Sequence, residues 1–219
     1  MRVSPGRLER FLKKWNVNYK LVSGWDSSKI DPYKGKSNFV GIILHHTAGT
    51  NSLNWVVKTN PYAPVRACHF LVDRDGTVQV VSGVGAYHAG RGGPWRVTKF
   101  LTVPKDMGNS RLYGIEIESL GTSAAISGTT KGMSVEQVVS TALLCGALLE
   151  AMSPIRGFVY KVGRVIRHKD WAPTRKPDVK QDLKWWRDVV AIARQNKKNT
   201  SLASQLIREY VKLSPKGKA

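Results

Sequence analysis

The chain has 219 residues, 42% of them hydrophobic, which suits one sizeable folded core and excludes both a disordered chain and two full domains. Lys and Arg number 35 against 15 Asp and Glu, a formal charge of +20 that favours a polyanionic partner, of which nucleic acid is the common kind. Two cysteines give no disulfide framework, and no apolar run is long enough to span a bilayer.

Residues 1–11 contain no long apolar run, so they do not read as a secretory signal, and the expectation is a protein first held in the cytoplasm. Residues 5–16 read as a short basic amphipathic helix. Residues 17–40 are rich in turn formers. The apolar run 41–46 reads as a buried strand. A short helix is expected after Asn51-Ser52, carrying Leu53, Trp55 and Val56. Residues 67–82 read as a hairpin closed by Asp75-Gly76. Residues 85–105, with Gly90, Gly92, Gly93 and Pro94, read as a long loop of the kind that lines binding sites. Residues 112–118 alternate like a strand. Ser134-Val135-Glu136-Gln137 is a capping-box pattern and opens a helix to about Met152, stopped by Ser153-Pro154. Cys145 falls on its apolar face. Residues 162–167 read as a strand, Asp182 opens a helix through Trp185, Trp186 and Val189, and 201–213 have helical spacing. A basic tail, 215–219, follows. Short strands alternating with helices predict an α/β domain with a central mixed sheet flanked by helices.

The residues that carry chemistry are separated along this order. His168 and Asp178, ten positions apart, offer two zinc ligands and bracket Lys176. A hydrolytic zinc usually takes three protein ligands and leaves one position open. The strand 41–46 ends in His45-His46 and can deliver the third. Adjacent residues of a strand point to opposite faces, so at most one of these two is a ligand. Glu116 and Glu118 share one face of their strand, and alternation does not choose between them. His69, His88 and Trp95 read equally as packed side chains or as substrate contacts. Cys68 reads as a small core residue. No finger-type cysteine spacing and no nucleic-acid-binding motif accompanies the charge, so a specific nucleic-acid partner is not expected.

The runs Ile42-Ile43-Leu44-His45, Ala67-Cys68-His69-Phe70, Tyr87-His88-Ala89-Gly90, Tyr113-Gly114-Ile115-Glu116 and His168 to Asp178, in this order, resemble the zinc-dependent N-acetylmuramoyl-L-alanine amidases of type 2, the family that includes the peptidoglycan recognition proteins. The resemblance covers roughly residues 41–178. It implies that His45, His168 and Asp178 bind zinc, that Glu116 is the catalytic acid/base, and that Lys176 stabilises the reaction centre. It places His88 near the substrate, with His69 and Trp95 as further candidate contacts. Some members carry a tyrosine just before the hairpin histidine. Here Cys68 stands there, which moves weight onto Glu116. The expected division is a basic N-terminal extension at 1–40 packed on the domain, a zinc amidase catalytic domain at 41–195 and a basic C-terminal helix and tail at 196–219. The implied partner is bacterial peptidoglycan, with anionic wall polymers drawn by charge, and the protein is expected to be a monomer. Basicity with a full ligand set suits a phage endolysin that reaches the wall from the host cytoplasm after release by another factor. The alternatives are a non-catalytic peptidoglycan-binding protein and a cytoplasmic muropeptide-recycling amidase.

Overall fold

The structure, a computed structural model, describes residues 3–59, 66–122, 126, 129–155 and 158–214. The tail at 215–219 lies outside the described residues. Helix α1 is Pro5–Lys14. Ser4 caps it by accepting the Arg7 N–H at 3.3 Å, and Pro5 takes the first turn, where no N–H is needed. It buries Leu8 and Leu12, and its C-terminal end is anchored by Glu150, whose carboxylate accepts Lys14 Nζ at 2.5 Å and Trp15 Nε1 at 2.7 Å.

The strands follow as β1 (Tyr19–Leu21), β2 (Gly41–His46), β3 (Phe70–Val72), β4 (Val78–Val80), β5 (Trp95–Thr98), β6 (Leu101–Val103), β7 (Leu112–Ile117) and β8 (Val165–Arg167). The helices after α1 are α2 (Gly108–Arg111), α3 (Val135–Ala151), α4 (His168–Trp171), α5 (Leu183–Gln195) and α6 (Thr200–Leu213). Six strands form one sheet in the order β1-β4-β3-β7-β2-β8, and β5 pairs with β6 apart from it. Only the β3–β4 hairpin is antiparallel within the large sheet, and its other neighbours run parallel. This is the mixed α/β architecture expected from the pattern.

The period-two geometry of strands sorts the core into layers. Ile42 and Leu44 of β2, Tyr113, Ile115 and Ile117 of β7 and Val165 of β8 share one face. They pack with the apolar sides of α3, α5 and α6 in the main core. Ile43, Leu112 and Ile166 point the other way, into a smaller cluster with Ala89, Val103 and Trp171. His45 has the parity of Ile43. The polar end of β2 therefore opens on the thinly covered face of the sheet, not under the helices.

Several local expectations hold. Ser134 and Gln137 form the reciprocal capping box of α3, Asp182 caps α5, and Cys145 is fully buried. Others need correction. The basic helix at the N-terminus stops at Lys14, because Trp15 turns in to reach Glu150. The short helix expected after Asn51-Ser52 is present from residue 53, but most of it is a π-helical turn, Trp55–Thr59. Residues 85–105 are not a plain loop, since 95–103 form the β5–β6 ribbon with its apolar face on the small cluster. The strand at 162–167 begins as a 3-10 turn, Val162–Arg164. Residues 17–40 contribute β1, an edge strand of the main sheet. Helix α6 buries Ala203, Ile207 and Val211 and ties Arg208 to Glu136 and Tyr210 to Asp188.

Candidate active site

Three segments converge at the C-terminal ends of the parallel strands, where open α/β sheets bind ligands. In the register of β2 and β7, His45 lies beside Glu116, so both side chains project from the same face. His168 follows β8 directly and opens α4. The loop beyond α4 returns, and the Lys169 N–H donates to the Asp178 carbonyl at 2.5 Å. That closure brings the Asp178 carboxylate against both imidazoles.

The donor atoms form a tight triangle. His45 Nδ1 is 2.8 Å from His168 Nδ1, His168 Nδ1 is 3.1 Å from Asp178 Oδ2, and His45 Nδ1 is 3.6 Å from the same oxygen. All three residues are buried. A tetrahedral ion with bonds near 2 Å separates its ligand atoms by roughly 3.3 Å. The far sides of the rings decide what faces inward. His168 Nε2 is 3.0 Å from the Ala89 carbonyl, which only accepts, so this nitrogen carries a proton. His88 Nε2 likewise donates to the Leu112 carbonyl at 3.0 Å, which leaves His88 Nδ1 to accept from His45 Nε2 at 3.2 Å. With those far-side protons in place, His45 and His168 would both present Nδ1 lone pairs beside a carboxylate to a bound cation. Burial, and next the neighbouring His168, push the His45 imidazole down to about 3, so it resists taking a proton there. Burial drives the Asp178 carboxyl up, yet the adjoining His168 and His45 imidazoles outweigh this and hold it below the usual carboxylate range. The donor set fits a divalent cation.

Glu116 and Glu118 separate clearly. Glu118 Oε1 accepts the Ser52 N–H at 2.8 Å. Glu116 Oε2 is buried and has no hydrogen-bond partner among the described residues. Burial, reinforced by Asp178 and opposed by Lys176, pushes the Glu116 carboxyl up to about 8. A group so placed can hold or release a proton near neutral pH. Lys176, half-buried, stands close enough to act electrostatically on both Glu116 and His45.

These residues line a cleft of about 830 Å³. His45, His88, Glu116, His168, Lys176 and Asp178 all face it. His69 and Trp95 do not line it. His69 is fully buried beside Phe39 and Tyr113, its Nδ1 accepting the Gly114 N–H at 3.0 Å. Trp95 packs over Gly41, at the opposite end of β2 from His45, and a Cβ on Gly41 would meet its ring at 2.8 Å. His46, on the other parity, lies against Gly121 and accepts the Ala48 N–H at 3.2 Å, yet it too borders the cleft. Trp55, Tyr87, Asn109 and Arg175 line the cleft without having been singled out for it as site residues from the sequence, or, for Trp55, only as part of a helix. Tyr87 stands beside His88, and Arg175 beside Lys176, in runs already noted, whereas the neighbours of Trp55 and Asn109 carry no motif that marks them.

A family model described as N-acetylmuramoyl-L-alanine amidase matches residues 35–181, about two thirds of the chain. Comparison with curated proteins and with solved structures gives no match.

Proposed function

Because the chain belongs to the N-acetylmuramoyl-L-alanine amidase family, we propose that it hydrolyses the amide between N-acetylmuramic acid and L-alanine in peptidoglycan at a zinc site made by His45, His168 and Asp178. The observation that carries this reading is the convergence of two Nδ1 lone pairs and a buried carboxylate beside the unpartnered Glu116 Oε2. Zinc held by the three ligands supplies Lewis acidity that polarises a carbonyl and acidifies water. Glu116 accepts the proton of the attacking water and delivers it to the leaving nitrogen, one group serving both transfers. Its raised proton affinity suits that shuttle. Lys176 donates to the oxygen that gains charge as the carbonyl carbon becomes tetrahedral. The cleft walls, with Tyr87 and Trp55, orient the sugar–peptide junction.

The charge of +20 supports a lytic role on an anionic wall, as in a phage endolysin, over recycling of small soluble fragments. Among the described residues no helix is long and apolar enough to cross a membrane. The test is digestion of purified peptidoglycan followed by mass spectrometry of the new ends. Free muramic-acid lactyl carboxylates and L-alanine amino termini are expected, and they should vanish when zinc is chelated and return when it is restored. New reducing sugar ends, or a digest indifferent to chelation, would refute the reading. Lysis of intact walls at low salt, with weaker turnover of a soluble muropeptide, separates the lytic role from recycling.

A further inference from the structure

The two histidines of the candidate zinc site are both supported from behind by a single dipeptide. His88 Nδ1 faces the His45 Nε2 proton at 3.2 Å, and the very next carbonyl, of Ala89, faces the His168 Nε2 proton at 3.0 Å. Neither acceptor belongs to a strand or helix, so something must hold this segment in place. Asn109 does. Its Oδ1 accepts the backbone N–H of His88 at 2.8 Å and that of Ala89 at 2.6 Å. The Asn109 side chain also lies beside the Tyr33 hydroxyl, and Tyr33 stands edge-on to Tyr87 at 5.8 Å. Gly114 completes the seat from the sheet side. A Cβ there would lie 2.3 Å from His88 Cγ, so only glycine lets the ring lie over β7 and reach Leu112.

We propose that Asn109 is a positioning residue for metal binding, which fixes the His88–Ala89 segment so that its two acceptors lock His45 and His168 with both Nδ1 atoms free to bind zinc. This assigns His88 to the support of a ligand in place of substrate recognition. It rests on the zinc reading given above. The physical reason is that an imidazole has two tautomers and a rotatable ring, and an acceptor behind one nitrogen selects the other for the metal. A loop free to move by an ångström would lose both acceptors together. Asn109 therefore couples the two ligands, although it touches neither.

The experiment is zinc affinity of the full-length protein, measured by competition with a chromophoric chelator, alongside the visible absorption of the cobalt(II) form. Asn109→Leu keeps volume and removes the acceptor. Asn109→Asp keeps the acceptor. His88→Phe keeps a ring over Gly114 and removes both of its hydrogen bonds. Asn109→Leu and His88→Phe are expected to bind zinc about 10- to 100-fold more weakly and to show an altered cobalt spectrum, with Asn109→Asp within about threefold of the parent protein. Affinity within threefold of the parent in both Asn109→Leu and His88→Phe overturns the inference, as does an Asn109→Asp protein as weak as Asn109→Leu. If Asn109→Leu does not fold, His88→Phe and Asn109→Asp decide in the same way. A parent protein that binds no zinc overturns the zinc reading and this inference together, whereas tight binding in parent and variants alike overturns the inference alone.

Discussion

Glu116→Gln should make the zinc-free protein more stable and the zinc-loaded protein inactive. In the fold, the Glu116 carboxyl is buried with Oε2 unpartnered, and it titrates near 8 in place of 4.5. The unfolded chain loses this proton first. Between the two values the unfolded state binds fewer protons than the native state, so stability falls as pH rises. At pH 7 the gap from the ordinary value is 2.5 units, which at about 1.4 kcal/mol per unit costs about 3 kcal/mol of folding stability. Glutamine never ionises and escapes that cost. Its amide keeps a buried group without a full set of partners, which returns about 1 kcal/mol of the gain. The net expectation is about 2 kcal/mol, a rise in melting temperature of about 4–8 °C for a chain of this size.

The pH profile is the sharper part. The advantage of the variant should be absent below about pH 4.5, grow through neutrality and level off above about pH 8. Thermal unfolding of parent and variant after zinc chelation, from pH 4 to pH 9, measures it. With zinc restored, hydrolysis should fall by about 10²- to 10⁴-fold, the usual worth of a positioned acid/base. A stability difference that does not change with pH would show that Glu116 is not the buried, late-titrating group described. Near-normal turnover would move the proton shuttle elsewhere, and the bond from Ser52 to Glu118 argues against the nearest substitute.

His168→Ala should lose bound zinc and activity together, as read by metal analysis and peptidoglycan digestion; full zinc occupancy would sink its assignment as a ligand. Lys176→Ala should retain zinc while turnover drops by roughly 10²-fold, the scale of one lost oxyanion contact, and an unchanged kcat would reduce Lys176 to a surface charge. Glu150→Ala leaves the Trp15 indole N–H buried without its 2.7 Å acceptor and frees Lys14, so urea unfolding should show a loss of about 2–3 kcal/mol with activity at saturating zinc preserved. Sedimentation with intact walls should weaken steeply between 0.1 M and 1 M salt, as the Debye length falls from about 10 Å to about 3 Å. Deleting 199–219 is a poor test of that charge effect, because it strips Ala203, Ile207 and Val211 from the core; replacing the exposed Lys198 and Lys212 by glutamine keeps the fold and should shift the salt midpoint downward.

What the sequence made legible follows the range of the interactions involved. The capping box of α3, the Asp75-Gly76 hairpin and the parity of His45 against His46 are decided within a few residues, and each is found as read. The choice between Glu116 and Glu118 is not local. Alternation puts both on one face, and the Ser52 N–H, 66 positions upstream, holds Glu118, whereas Glu116 Oε2 has no hydrogen-bond partner among the described residues. Trp95 illustrates the same limit in reverse. An aromatic residue in a glycine-rich stretch invites a substrate role, but the β5–β6 ribbon folds it onto Gly41, far along β2 from the histidine. The order β1-β4-β3-β7-β2-β8 was equally out of reach, since neighbours in a parallel sheet are set by crossovers and not by adjacency in the chain.

The contrast is greatest at Asn109. A polar residue just before the Leu112–Ile117 strand has no feature in the sequence that separates it from Ser110 beside it. Its importance comes from two backbone N–H groups 20 and 21 positions away that converge on one oxygen. The ligands of a metal centre can be read from sequence because the metal demands particular side chains. The groups that aim those ligands need only offer an acceptor in the right place, and a backbone carbonyl such as that of Ala89 serves as well as any side chain. The chemistry proposed for this site is therefore written in residue types at His45, Glu116, His168, Lys176 and Asp178, whereas its geometry is written in the fold that carries His88, Ala89 and Asn109 to them.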